Sequence, residues 1–328
     1  MSATPRRLIV GGAGSLAALG IVRSVRRQFG DAVFIVAMDT NPRDQVTAAA
    51  FADAFVQVPM ARSVKFHQAL SDIAAAFPHA AYLPTNEYEI DVAAHLAAAG
   101  ELPDGMGLVM PPHAMIRLCN DKWAMHHWLL ARGFPSPATA LASPDTAETI
   151  PGALFLKPRN GYGSKGVRPI HDTNDVAALD PEEWLIQERL SEPVVTIEAL
   201  LSRADGRCHS VCRLRLSVDE HNVQTEARVF QDRVLADLVE RIARALPLYG
   251  AFCLQVMASA AGDWKITDVN PRLASGTGAS AAAGMDFVGA NLADFWGDPV
   301  ERFLQPMLGE RYVVRRGTEY SAADFTAQ

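Results

Sequence analysis

Between residues 7 and 111, apolar strand-like runs alternate with helix-like ones. This alternation constrains the fold more than any other feature of the chain. Leu8 to Val10 runs into the turn Gly11-Gly12-Ala13-Gly14, Ser15 to Phe29 reads as a helix, and Val33 to Met38 is a second strand. Phe55 to Val58 reads as a strand, Val64 to Phe77 as a helix and Ala80 to Leu83 as a strand. Glu87 to Ala99 is a further helix, and Gly107 to Met110 a last strand before Pro111-Pro112. Strands separated by helical crossovers pair in parallel, so this region predicts a parallel sheet with helices on both faces.

Beyond Pro112 the texture changes. Asp121 to Arg132 is helical and stops at Gly133-Phe134-Pro135. Ala153 to Lys157, Val167 to Ile170, Trp184 to Glu188, Val194 to Leu201 and Cys208 to Val218 are strands with little helix between them, which predicts antiparallel sheets. Val229 to Leu246 reads as one amphipathic helix, and Phe287 to Trp296 as another helix. From Leu308 a peripheral strand and a tail are expected.

Composition excludes several classes. The chain has 328 residues, enough for two domains or a domain with a lid, and its charged fraction of 20% is that of an ordinary globular protein. A net charge of −7 argues against a general nucleic-acid or membrane-surface binder. No apolar stretch reaches the length of a membrane span. Cys119, Cys208, Cys212 and Cys253 form no CxxC pair, so reduced thiols and a cytoplasmic location are expected. The nine histidines show no metal spacing, and the His126-His127 pair reads as surface.

A polar constellation interrupts two late strands. Gly250 to Ala258 and Trp264 to Asn270 flank the turn-like Ala260-Ala261-Gly262-Asp263. If that turn closes a hairpin, Gln255 lies opposite Asp268, and Asn270 shares the face of Asp268. Leu254, Val256 and Val269 then point to the core. Three hard oxygen donors on one face suit Mg²⁺, which takes few protein carboxylates and completes its shell with phosphate and water. A solvated hairpin ending in an Asn-Pro turn is the plainer alternative. Arg272 follows at once.

The loop from Lys157 to Gly166 (KPRNGYGSKG) joins two expected antiparallel strands. Its glycines let backbone N–H groups approach a phosphate, and Lys157 ends an apolar strand as a point charge. A flexible hairpin loop would need neither Lys157 nor the further cations, so phosphate binding is the favoured reading. The order of residues is not that of a P-loop. Lys122 follows Asp121, a plausible N-cap. The strand end Gln187-Glu188 can offer backbone groups to a purine ring, or is simply an exposed strand end. Gly12-x-Gly14-x-x-Ala17, with Asp39 about twenty residues on, fits a dinucleotide-binding turn. Glu87, after the fourth strand, is either a substrate contact at a strand's carboxyl end or a glutamate favoured by the helix dipole. Arg213 and Arg215 share a strand face.

Taken in order, these motifs resemble the ATP-grasp superfamily, in its carbamoyl-phosphate synthetase-like branch with a single ATP-grasp unit, over about residues 1 to 300. The resemblance implies a Rossmann-like N-terminal sheet at 1–111, a lid subdomain with the glycine-rich loop at 112–188, a C-terminal subdomain with the metal site at 189–310, and a peripheral tail at 311–328. It implies ATP contacts at Lys122, Lys157, Gly161, Gly163, Ser164, Lys165, Gln187, Glu188, Leu190, Glu192 and Glu198. Gln255, Asp268 and Asn270 match the metal ligands, and Arg272 the catalytic arginine. Glu87, Arg213, Arg215, Ser275 and Gly276 fall on the substrate side. The second metal ligand of the family is usually glutamate, so Asp268, as the one carboxylate of the set, puts a two-magnesium arrangement in question. Glu192 is near the ribose-binding position without being clearly in register.

The expected activity is an ATP-dependent ligation. It would activate a carboxylate as an acylphosphate and couple it to an amine or similar nucleophile. The cofactors would be ATP and one or two Mg²⁺ ions. The partners would be small, amino-acid-like substrates and, as is frequent in the family, a second copy of the chain as a homodimer. The alternatives are an NAD-dependent oxidoreductase using the N-terminal glycine turn and a degenerate ATP-binding regulator.

Overall fold

A computed structural model describes residues 5–150, 152–161, 166–172, 174–218 and 224–315. The first unit contains β1 (Arg6–Val10), α1 (Leu16–Phe29), β2 (Val33–Asp39), β3 (Ala54–Gln57), α2 (Phe66–Ala76), β4 (Ala81–Leu83), α3 (Glu87–Ala99) and β5 (Gly107–Leu108). Its five strands are parallel in the order β3-β2-β1-β4-β5. Leu8 and Val10 face one buried cluster and Ile9 the other, as a sheet covered on both faces requires.

α4 (His113–Asn120) and α5 (Lys122–Leu130) follow. A small antiparallel sheet then contains β6 (Thr139–Leu141), β7 (Leu154–Pro158), β8 (Arg168–Ile170) and β9 (Trp184–Glu188), in the order β6-β9-β7-β8. The one-turn helices α6 (Pro144–Ala147) and α7 (Asn174–Ala177) cover it.

The third sheet is built from β10 (Ser191–Leu201), β11 (Cys208–Val218), β12 (Gln224–Phe230), β13 (Gly250–Ala258), β14 (Trp264–Asn270) and β15 (Arg311–Val314), with α8 (Arg233–Ala245) between β12 and β13. α9 (Thr277–Ala282) and α10 (Phe287–Trp296) precede its last strand. The order is β14-β13-β10-β11-β12-β15, antiparallel throughout. One face packs Ile197, Leu254, Val256 and Val269 against Leu235, Val239 and Ile242 of α8. The other face is apolar only where α10 covers Leu200, Val211 and Val229.

Two readings need correction. The expected helix from Val229 begins instead at Arg233, where Asp232 accepts a hydrogen bond from Leu235 N at 3.0 Å, and the residues up to Phe230 form an edge-side strand. The amphipathic pattern ran across a cap that the Asp232 signal marks. His126 is buried, with its Nδ1 2.8 Å from Ser136 Oγ, and burial holds its pKa down to about 4. Packing also crosses the expected boundaries. Cys119, Met125, Leu129 and Phe134 belong to the core under α8, and Val288 and Leu292 of α10 join the core of the first sheet. We therefore propose that α4 and α5 be grouped with the large sheet and that the lid begins near β6.

The glycine turn after β1 is held from within. Asp39 accepts from Gly14 N at 2.7 Å and from Asn41 N at 2.9 Å, and Thr85 Oγ1 donates to Gly11 O at 2.7 Å. Glu89, buried behind the turn, accepts from Tyr82 Oη at 3.1 Å, from Asn86 Nδ2 at 2.9 Å and from the Gly12 amide. A Cβ on Gly11 would lie 1.8 Å from Glu89 Oε2, so only glycine fits there. Burial raises the Glu89 pKa to about 7, although its hydrogen bonds oppose the rise. The folded state therefore keeps a proton that the unfolded chain loses near pH 4.5. This contribution to stability falls as pH rises from about 4.5 to about 7 and stays lost above that. Glu89→Gln is expected to remove this part of the pH dependence. Its Tm relative to wild type should rise across that window, and a pH-independent difference would contradict the assignment.

Candidate active site

The hairpin of β13 and β14 has the expected register, with Gln255 opposite Asp268 and Cys253 opposite Asn270. A bulge after Gln255 is spanned by Thr267 Oγ1, which donates to Gln255 O at 3.1 Å. Gln255, Asp268 and Asn270 are half-buried and share one face. Their acid content is one carboxylate, and no group of three acidic, histidine or cysteine residues that could hold a metal occurs among the described residues. The donor set nonetheless suits Mg²⁺, a hard ion that needs only one or two protein carboxylates when phosphate supplies the rest.

Asp121 explains the position of Lys122. Its Oδ1 caps α5 by accepting from Trp123 N and Ala124 N, both at 3.0 Å. The same carboxylate takes a bidentate pair from Arg159, Nε at 3.0 Å and Nη2 at 2.8 Å. One side chain thereby ties the first turn of α5 to the start of the glycine-rich loop. Lys122 completes the tie, its amide donating to Arg159 O at 3.1 Å and its Nζ to Gly161 O at 2.6 Å.

Lys157 is buried at the end of β7 and donates to Thr267 O at 3.1 Å and to Gln187 Oε1 at 3.3 Å. It thus bridges the lid sheet to β14. Burial lowers its pKa to about 8; Asp268 opposes that shift and Lys122 adds to it. Lys157 therefore senses both Asp268 and Lys122. Such a cation is costly to bury without an anion to meet it.

Arg272 pairs with Glu87 at 2.7 Å, joining the end of β14 to the first turn of α3. Lys122, Gly161, Asp268, Asn270, Arg272 and Glu87 all border one cavity of about 690 Å³. The arginine on β11 is placed differently. Arg213 is buried and donates through Nε to Glu198 at 2.9 Å, while Gln224 accepts from its Nη1. Glu198 also accepts from Ser280 Oγ at 2.9 Å. The structure thus places Glu198 as a support for Arg213 beneath the sheet surface. A Cβ on Gly276 would lie 2.3 Å from Arg213 Nη1, so Gly276 makes room for the guanidinium.

The remaining expected residues scatter more. Gln187 donates to Thr139 Oγ1 at 2.9 Å, and Glu188 is ion-paired with Lys265 and accepts from Ala138 N at 2.8 Å. Leu190 is buried and Glu192 is exposed. Ser275 and Arg215 border a second cavity with Arg213 and Gln255. Gly163, Ser164 and Lys165 lie outside the described residues. Sequence reasoning missed Asp121 as a clamp, and it missed Thr196, which pairs directly with both Gln255 and Arg213. Extending the hairpin alignment to β10 would have found Thr196.

The sequence profile of the ATP-grasp domain matches residues 119–276, which span α5, the small four-stranded sheet and the β13–β14 hairpin. These residues form an ATP-grasp domain. The sequence matches no curated protein. Solved structures with the same fold include a biotin carboxylase from Campylobacter jejuni complexed with a β,γ-ATP compound, at TM-score 0.74 and 15% identity, covering 94% of this chain and 75% of that one. The biotin carboxylase domain of 2-oxoglutarate carboxylase from Hydrogenobacter thermophilus, with MgADP and bicarbonate, gives TM-score 0.74 and 15% identity over 95% of this chain and 74% of that one. An N5-carboxyaminoimidazole synthetase from Staphylococcus aureus, complexed with ADP, gives TM-score 0.74 and 13% identity over 94% of this chain and 81% of that one. At these identities the likeness is one of fold, and it extends beyond the ATP-grasp domain to the N-terminal parallel sheet.

Gly276→Ala is expected to push Arg213 off Glu198 and lower unfolding free energy by about 3–5 kcal/mol, the cost of breaking a buried ion pair. Urea denaturation measures it; an unchanged midpoint would show that Arg213 yields freely.

Proposed function

We propose that the protein is an ATP-dependent ligase that activates a carboxylate as an acylphosphate and couples it to an amine or similar nucleophile. The observation that carries this reading is the convergence on one cavity of Lys122, the glycine-rich loop at Gly161, Asp268, Asn270 and Arg272. Lys157 stands just behind, coupled to Asp268. The neighbours solved with ADP, MgADP and a β,γ-ATP compound support ATP and Mg²⁺ as the ligands of that cavity.

Phosphoryl transfer asks a protein for positioning and charge neutralisation rather than a covalent nucleophile. Lys122 and Lys157 meet phosphate oxygens, and the backbone around Gly161 covers them. Gln255, Asp268 and Asn270 would hold Mg²⁺, which when bound neutralises phosphate charge. A carboxylate oxygen of the substrate attacks the γ-phosphorus, and the bond to ADP breaks with its electron pair leaving on ADP. Arg272, oriented by Glu87, stabilises the equatorial oxygens. The amine lone pair then attacks the acyl carbon, phosphate leaves, and the nitrogen gives up a proton. Closure of the lid over this intermediate keeps water from it.

The dinucleotide reading finds no support in the glycine turn, because Asp39 spends its oxygens on Gly14 and Asn41. Thermal-shift titration separates the two. Mg-ATP is expected to raise Tm and NAD(H) to leave it unchanged, whereas the reverse result would favour an oxidoreductase. Lys157→Ala and Asn270→Ala are each expected to lower ADP release at least a hundredfold in proteins that remain folded by circular dichroism. Wild-type turnover in both would sink the ligase assignment.

A further inference from the structure

The phosphate-side cavity has an apolar neighbour. Arg272 and Glu87, which border the larger cavity, also border one of about 190 Å³. Its wall is Ile21, Leu83, Val109, Met110 and Leu273. Arg272 and Glu87 are the only charged groups among its described lining residues, and they neutralise one another at 2.7 Å. The volume is below the about 300 Å³ of a site for a whole ligand and suits one arm of a ligand held next door. The chain runs from β1 to β3 on one side of the first sheet and resumes with β4 on the other. The cavity opens at that reversal, with Ser15 and Ala17 after β1 and Pro84 and Thr85 after β4. Open parallel sheets bind ligands at such a point.

A single buried donor breaks the apolar wall. Asn291 of α10 is 4% exposed and lines the cavity. Its Oδ1 accepts from Ala251 N at 2.8 Å. A Cβ on Gly250 would lie 2.7 Å from that oxygen, so the glycine lets the amide group reach the strand. Nδ2, on the other branch of the amide, has no acceptor among the described residues. It is also not one of the fully sealed atoms that lack a partner. Its N–H groups therefore open on the cavity. A donor this deep takes its acceptor from whatever fills the space.

We propose that the acid activated here carries an uncharged, largely apolar arm with one carbonyl or hydroxyl oxygen, bound in this cavity by Asn291 while the reacting carboxylate lies at Arg272. This rests on the ligase reading and narrows its substrate. Arg272 borders both cavities, so the carboxylate sits where the arm and the phosphates meet. A second carboxylate or an ammonium on the arm would lose its water against Ile21, Leu83 and Val109 with no spare opposite charge to meet it.

Hydroxylamine trapping tests it. The hydroxylamine nitrogen attacks the acyl carbon of the acylphosphate, phosphate leaves, and loss of a proton gives the hydroxamate. The probes are 4-oxopentanoate, 5-oxohexanoate and 6-oxoheptanoate, which vary the reach from Arg272 to Asn291. With wild-type enzyme and Mg-ATP, the best of them should show a KM at least about tenfold below both the unsubstituted acid and the diacid of the same chain length. Asn291→Asp keeps the acceptor for Ala251 N and removes the donor. It should shrink the advantage over the unsubstituted acid to about twofold or less while changing kcat less than about threefold. Ala17→Leu fills the cavity from α1 and should raise the KM of the oxo acid about tenfold or more, which decides the matter if Asn291→Asp fails to fold. Equal KM values for the oxo acid and either comparison acid, or a preference unchanged in the variants that fold, would overturn the proposal. Thermal shifts with the same acids and no ATP read the cavity separately. Stabilisation by an oxo acid and not by its diacid upholds it even without turnover. Equal stabilisation by the diacid, or none by any oxo acid, overturns it. Absence of hydroxamate and ADP with every acid counts instead against the ligase reading.

Discussion

The pairing of β13 with β14 is the constraint on which the rest of the structure depends. Its register puts Leu254 and Val269 under α8 and turns Gln255 and Asp268 outward together. A slip of one residue would bury the donors and expose the core residues, so the hydrophobic core and the candidate metal site are fixed by the same backbone hydrogen bonds. Thr196 and Arg213 inherit their positions by pairing onward through β10 and β11. The site is an outgrowth of sheet register more than of any single loop.

The small four-stranded sheet is joined to this large sheet by side-chain bonds from both sides. Lys157 reaches from β7 to Thr267 O, and Lys265 of β14 pairs with Glu188 of β9. Asp121 and Arg159 bind the glycine-rich loop to α5. A ligand that drew Lys157 toward phosphate would loosen one of these bridges and leave the others. This is a simple physical route from nucleotide binding to lid movement.

Much of this was legible in the chain itself. Period-two alternation and a turn-like AAGD predicted the hairpin and its register, because one apolar face and one polar face leave a single consistent pairing. The strand–helix alternation predicted the first sheet for the same kind of reason. Strand β12 was not legible, since Val229 and Phe230 continue the apolar spacing of α8 and only the Asp232 cap separates them. The burial of His126 was hidden because its partner Ser136 lies beyond the turn at Gly133. Glu198 read as a nucleotide contact, and its role under Arg213 needed the register of β10 against β11, which no local pattern reveals.

The central claim is that the polar face of β13 and β14 holds the metal of a bound Mg-ATP. Calorimetric titration of ATP with and without Mg²⁺, in wild type and Asp268→Asn, tests it most directly. Wild type should bind ATP at least about tenfold more tightly with Mg²⁺, and Asp268→Asn should lose that gain while binding metal-free ATP as before. An undiminished magnesium dependence in Asp268→Asn would contradict the account.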